Sequence, residues 1–186
     1  NPSFESGDAE FLYQMVRYLK PKKIIEIGSG ESTKIVIKAL KRNKSEKSFN
    51  CEHICIEPFE HKWLENAGVK VVRDLLEDCD IRMFDELGHN GLLFIDSSHI
   101  IKPQGDVLKE YLEIIPNLKS GVVVHVHDIF TPRDYLDQWI REDVYFWNEQ
   151  YLLEILMTMN EKYEIIAALN YLKHARFNKL KEICPY

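Results

Sequence analysis

Cysteine is scarce in this chain of 186 residues, and its four thiols fit neither structure that cysteines commonly build. Cys51, Cys55, Cys79 and Cys184 show neither the paired spacing of a zinc site nor a CxxC redox pair. Cys55 lies in an apolar run and reads as a core thiol, in keeping with a reducing, cytoplasmic setting. An excess of basic residues is lacking too. The formal net charge is −6, so the chain carries no electrostatic footprint for nucleic acid. The run Lys38, Lys41, Arg42, Lys44 and Lys47 reads as a solvated loop. No apolar run approaches the roughly 20 residues of a membrane span, and no secretory signal is visible. The chain opens on Asn1 rather than Met, which leaves its natural N-terminus open. Repeats, low-complexity tracts and linkers are absent, and the length suits one domain over residues 1–186. Hydrophobic residues at 45% are enough for a full core.

What is there is an alternation of short apolar runs with helical periods. A first helix is expected over about residues 8–20, capped by Asp8, with Phe11, Leu12, Met15, Val16 and Leu19 on one face and Pro21 as its stop. Strands are expected at Lys23–Ile27, His53–Glu57, Val69–Arg73, Leu92–Ile95, Gly121–Val126 and Tyr163–Ala168. Helices are expected at Ser32–Lys41, Glu60–Asn66, Ile81–Leu87, Gly105–Ile115 and Asn148–Met159, with a polar loop at 42–50 and a short amphipathic helix in the tail Lys173–Tyr186. Such alternation means an α/β fold: a Rossmann-like, doubly wound, mostly parallel sheet with helices on both faces. The continuous apolar strands agree with a sheet buried on both sides.

In such sheets ligands sit beyond the carboxyl ends of the strands. The first of these ends reads Glu26-Ile27-Gly28-Ser29-Gly30-Glu31-Ser32-Thr33, a strand, a glycine turn and a helix start. Gly28 and Gly30 permit a sharp turn and close approach of a ligand, and the helix start offers free N–H groups. An acid at position 26 would repel a pyrophosphate, whereas a cationic or hydroxyl-rich ligand would welcome it. Glu57 ends the second strand, 27 positions after Gly30. An acid there hydrogen-bonds a ribose diol in nucleotide-binding sheets. Asp74 ends the third strand. Asp96, followed by Ser97, Ser98 and His99, ends the fourth, and His127 with Asp128 ends the fifth. Asp96 and Asp128 are hard oxygen ligands suited to Mg²⁺, Mn²⁺ or Ca²⁺. His127 either joins them or packs under its loop. His99, three residues beyond Asp96, is suited to taking a proton. His125 reads as structural, and His53, His61, His89 and His174 read as surface residues. Trp139, Trp147, Tyr145 and Phe146 either wall a substrate pocket or fasten the long helix. The loop Phe130–Arg141 reads as a lid.

With these residues assembled, the chain resembles the class I S-adenosylmethionine-dependent methyltransferases from its first helix to its sixth strand. Glu26-Ile-Gly28-Ser29-Gly30 matches that family's first motif, and the resemblance implies that these residues bind the amino-acid part and ribose side of the cofactor. It likewise implies the ribose for Glu57 and the adenine for Asp74. More narrowly, the chain looks like the metal-dependent O-methyltransferases of catechol and macrolide-sugar type. That likeness implies Asp96 and Asp128 as metal ligands and His99 as general base, with His127 departing from the acid of the sugar enzymes. Asp96 also counts among the expected cofactor contacts. The expected activity is therefore O-methylation of a small hydroxylated acceptor (sugar, natural product or phenol), with S-adenosyl-L-methionine and Mg²⁺ or Mn²⁺. A homo-oligomer stays open. A NAD-dependent oxidoreductase and a non-catalytic cofactor-binding protein are the alternatives.

Overall fold

The computed structural model describes residue 4 and residues 6–183. Five strands, β1 (Lys23–Ile27), β2 (Glu52–Ile56), β3 (Lys70–Val72), β4 (Leu92–Ile95) and β5 (Val123–Val126), form one sheet in the order β3-β2-β1-β4-β5. Every pairing is parallel. The chain leaves β1 toward β2 on one side and β4 on the other, so the switch of direction that opens a ligand crevice lies above β1 and β4.

Side-chain alternation divides the core between two faces. Ile24, Leu92 and Phe94 pack under α1 (Ser6–Leu19) and α2 (Glu31–Lys47), meeting Leu12, Val16, Val36 and Ala39. Ile25, Ile27, Ile54, Ile56, Leu93 and Ile95 point the other way. They meet Val107, Tyr111, Ile114 and Ile115 of a continuous helical stretch, made of α3 (Asp106–Lys109), a π-helical turn (Glu110–Ile114) and α4 (Ile115–Asn117). Then come α5 (Asp137–Arg141), α6 (Glu149–Met157), α7 (Leu169–Ala175) and α8 (Phe177–Ile183).

Several boundaries depart from expectation. The polar stretch after Lys41 is no loop: α2 runs on to Lys47. Its polar residues still make helical partners, since Arg42 pairs with Glu46 at 2.5 Å and the buried Asn43 amide donates to the Val16 carbonyl at 3.1 Å. The first helix begins at Ser6, which places Asp8 in its first turn. The helices expected at 60–66 and 81–87 are short 3₁₀ turns, Leu64–Asn66 and Ile81–Glu86. The sixth strand does not form: residues 163–168 have no regular structure, and Ile165 and Ile166 are exposed. An apolar run becomes a strand only when it pairs in register with a sheet edge, and residues 163–168 pair with no strand among the described residues. The tail holds α7 and α8, while Cys184, Pro185 and Tyr186 lie outside the described residues.

The two motif glycines differ. Gly28 sits at φ +82°, and a Cβ there would run into the carbonyl oxygen of Asp96, whereas a Cβ at Gly30 would meet nothing within 4 Å. Gly28→Ala should therefore lower stability by at least about 2 kcal/mol, from left-handed strain plus the clash. Gly30→Ala should stay within roughly 0.5 kcal/mol of wild type. Equilibrium denaturation of the two variants checks the contrast, and equal losses would contradict it.

Candidate active site

The parallel ladder continues one residue past each strand. Glu57 N–H donates to Val72 O at 3.0 Å, Gly28 N–H to Ile56 O at 3.0 Å, Asp96 N–H to Ile27 O at 2.9 Å and His127 N–H to Ile95 O at 2.9 Å. Glu57, Gly28, Asp96 and His127 thus stand in a row along the carboxyl edge, one for each inner step of the sheet.

On the β2 side the Glu57 carboxylate is buried at the rim. It accepts the Ser29 N–H through Oε2 and the Phe59 N–H through Oε1, each at 3.0 Å, so it ties the glycine turn to the end of β2. Asp74 is exposed beyond β3, apart from the groups around Asp96. Glu26 lies beneath the turn. It is fully buried, with Oε1 accepting the Ser32 hydroxyl at 2.7 Å and Oε2 2.8 Å from His53 Nε2. His53 is accordingly a core residue and not a surface one, because the Glu26 carboxylate gives its ring a buried partner.

The β4 and β5 side carries a denser cluster. His99 is buried, with Nε2 3.2 Å from Asp96 Oδ1 and 3.8 Å from Asp128 Oδ2, and Nδ1 2.7 Å from Glu149 Oε2. His127 Nδ1 lies 3.2 Å from Asp128 Oδ2 and 3.7 Å from Asp96 Oδ1, and its Nε2 lies 3.9 Å from Asp8 on α1. The His127 ring stacks on Phe4, 5.0 Å between centroids. Both His99 (φ +57°) and Asp128 (φ +55°) sit in the left-handed region that non-glycine residues seldom adopt. Such strain persists where the surroundings over-determine it, and it clusters at functional sites.

Those surroundings come from Asn148-Glu149-Gln150 at the start of α6, three residues to which the sequence alone gave no role. The Asn148 and Glu149 N–H groups both donate to the His99 carbonyl, at 2.9 and 3.2 Å, and Asn148 Oδ1 accepts from Ile101 N–H at 2.6 Å. The fully buried Glu149 also accepts the Tyr111 hydroxyl at 2.9 Å. Gln150 holds the loop after β5, accepting from Phe130 N–H at 3.1 Å and donating to the Arg133 carbonyl at 3.2 Å. An acid in the first turn of a helix ordinarily reads as a partner for the helix dipole, which hid Glu149 in the sequence. Glu110 was missed too. It sits in the π turn, fully buried, with neither carboxyl oxygen hydrogen-bonded.

Over His99 lies an aromatic wall. Trp147 is 4.4 Å from the His99 ring, stacks on Tyr145 at 5.1 Å and meets Trp139 edge-on at 4.9 Å, and Phe130 adjoins Trp139 at 5.3 Å. These rings pack on one another, on Phe130 and on His99, while Phe146 is exposed. His125 packs between Phe94 and Phe11, as a structural residue would.

The electrostatics follow from this crowding. Burial opposes protonation of His99, but Asp96 and Glu149 outweigh it and raise its pKa to about 10. For His127 burial is likewise overcome, by Asp128 and Asp96, and its pKa also rises to about 10. Burial would raise the pKa of Asp96, yet the two imidazoles hold it well below the usual carboxylate range. Glu110 goes the other way: burial and then the Glu149 charge push its pKa well above the ordinary value, which favours its neutral acid form. Oxygen and nitrogen donors of Asp96, His99 and Asp128 lie within 4.8 Å of one another, a mixed set that suits a divalent ion such as Mn²⁺. His127 Nδ1, buried without a hydrogen-bond partner, faces the same two carboxylates.

Two stability predictions result. In chelator-treated protein the raised His99 and His127 stabilise the fold fully below the ordinary histidine value, and this is lost as pH rises through about 10. Thermal melts should show a midpoint falling from about pH 6.5 upward, and His99→Asn should flatten that fall. Equal slopes for variant and wild type would contradict the assignment. Glu110→Gln removes a carboxyl that resists ionisation, so it should melt higher than wild type near pH 8, with the gap closing near pH 5. A variant that melts lower than wild type near pH 8 would argue against a neutral Glu110.

No curated protein matches the chain. The sequence profile of one family, described as a methyltransferase domain, matches residues 25–129, from β1 through the strand-end pair His127-Asp128. That span covers more than half of the chain and contains the glycine turn, Glu57, Asp96 and His99. The chain belongs to this methyltransferase family, within the class I S-adenosylmethionine-dependent methyltransferases.

Proposed function

We propose that the protein methylates a hydroxyl oxygen of a small acceptor, a sugar, natural product or phenol, using S-adenosyl-L-methionine and a divalent ion, Mg²⁺ or Mn²⁺. The observation that carries this reading is the setting of His99: Nδ1 is fixed on the buried Glu149, while Nε2 is turned to Asp96 and Asp128. This is the geometry of a base whose far nitrogen is held by an acid, so that its near nitrogen can act.

In this reading the cofactor lies over the turn Gly28-Ser29-Gly30, with the open space at Gly30 admitting it and Glu57 on its ribose side. Asp74 serves the adenine end, and Asp96 borders the methyl-donor end. Glu26, enclosed beneath, acts on the cofactor through the turn that it braces at Ser32. Asp96 and Asp128, with His127, hold the ion. An ion held there would supply positive charge that favours the neutral imidazole of His99 and the ionised acceptor hydroxyl. His99 Nε2 then takes the acceptor proton. Glu149 balances the imidazolium that results, and Tyr111 keeps Glu149 in place. The aromatic wall excludes water and aligns the acceptor oxygen, and alignment supplies much of the rate in such a transfer. The match to a methyltransferase family favours this over the oxidoreductase alternative.

Calorimetric titration with S-adenosylhomocysteine, with and without Mn²⁺, followed by turnover on a panel of hydroxylated acceptors, tests the reading. Gly30→Ala should fold normally and bind S-adenosylhomocysteine more weakly. His99→Ala should keep cofactor binding and lose roughly 10²–10⁴-fold in turnover. Undiminished turnover in His99→Ala would remove the base. Metal-independent turnover would remove the ion, and cofactor binding with no turnover on any acceptor would favour a binding protein.

A further inference from the structure

Beneath the glycine turn lies a second cluster, of which the proposed function uses only Glu26, as the brace of the turn at Ser32. Parallel pairing sets Glu26 beside Cys55 and Ile24 beside His53, so Glu26, His53 and Cys55 project from one face of two adjacent strands. All three are buried. Glu26 Oε2 is 2.8 Å from His53 Nε2, and Cys55 Sγ is 3.6 Å from each of those atoms. From this geometry we infer that Glu26, His53 and Cys55 form a second metal centre, a buried zinc-type site that clips β1 to β2 under the cofactor turn.

Donors placed at about 2.0–2.3 Å around one tetrahedral ion stand about 3.3–3.6 Å from each other. The two edges at sulfur already have that length, and the third needs to open by only about half an ångström. The donor types agree. One thiolate, one imidazole and one carboxylate select Zn²⁺ over the harder Mg²⁺. A doubly charged ion between a thiolate and a carboxylate also leaves the site neutral, which a fully buried location requires. Loading exchanges the Cys55 thiol proton for the metal–sulfur bond, the proton leaving to solvent. His53 coordinates through Nε2 with its hydrogen on Nδ1. Ser32, bonded to Glu26 Oε1, carries the brace into the first turn of α2.

The test uses sulfur, which the cluster around Asp96 does not contain. The whole protein is produced in cobalt-supplemented medium and its absorption spectrum recorded beside the metal content of zinc-grown protein. The expected result is one tightly held equivalent of zinc and, in the cobalt form, a thiolate-to-cobalt charge-transfer band. That band should vanish in Cys55→Ser and in His53→Gln and persist in Cys51→Ser and in Asp96→Asn. Folded cobalt-grown protein with no thiolate band would overturn the inference, as would a band that survives Cys55→Ser. Should Cys55→Ser fail to fold, His53→Gln decides, because it keeps the thiol: an unchanged band there overturns the site. None of these readouts depends on methyl transfer, so the centre and the proposed reaction stand or fall separately.

Discussion

The backbone contact between Gly28 and Asp96 is what everything else in this molecule rests on. At that point the turn leaving β1 passes so close over the carbonyl of Asp96 that no side chain fits at Gly28. The contact fixes the glycine turn, with its N–H groups, against the end of β4, where the cluster of carboxylates and imidazoles begins. The turn and that cluster are then held at a separation set by backbone, which is stiffer than any pair of side chains. Parallel pairing extends the same register outward. Glu57, Gly28, Asp96 and His127 line up because each continues a ladder hydrogen bond past its strand.

Buried charge is the cost of this arrangement, and it is offset in layers. Asp96, Asp128 and Glu149 would each be unfavourable alone in a core-like setting. Two imidazoliums shared among them leave a single negative charge over, which a divalent ion can more than balance. Farther from the rim, Tyr111 takes the outer oxygen of Glu149, and Glu110 avoids adding another charge by staying protonated. Under the turn, Glu26 is answered by Ser32 and His53. Acids crowd the carboxyl edge of this sheet, and Glu26, Glu57, Asp96, Asp128 and Glu149 each have a named partner. That separates an organised site from an acidic surface.

Much of this was legible in the sequence, for reasons that can be stated. The five strands that pair are short apolar runs ended by glycine, proline or an acid, and a sheet covered on both faces leaves few other readings for them. The acids at strand ends were visible because topology alone sends strand ends to one edge. The partners of those acids were not. Glu149 lies 50 residues from His99 in sequence and reads locally as a helix-start acid. His53 reads as a surface histidine until pairing in register brings it to Glu26. Residues 163–168 failed in the opposite way. Their pattern is that of a strand, but pattern reports only what a segment could do, and pairing needs an edge at the right height. Likewise the stretch around Arg42 and Lys44 looks like a polar loop because polarity marks exposure, which a long amphipathic helix also provides on its outer face, while Asn43 between them is buried against α1.

The strained backbone at His99 and Asp128 shows how the site keeps its geometry when nothing is bound. A left-handed residue other than glycine costs about 1–3 kcal/mol, and two of them face each other across His99 Nε2 and Asp128 Oδ2 at 3.8 Å. Relaxing either would release that strain but would break what holds it. For His99 that is the two N–H groups of Asn148 and Glu149 on its carbonyl, together with the ring's bond to Glu149. For Asp128 it is the His127 contact and the Gln150 anchors on the following loop. Apart from the His127 contact, these restraints originate in the same three residues at the start of α6. The helix was expected from its apolar period, but its first turn matters more than its length. By gripping the loops after β4 and β5 together, it sets the distance between Asp96 and Asp128 independently of any ligand. A site preorganised in this way spends little of a ligand's binding energy on ordering itself.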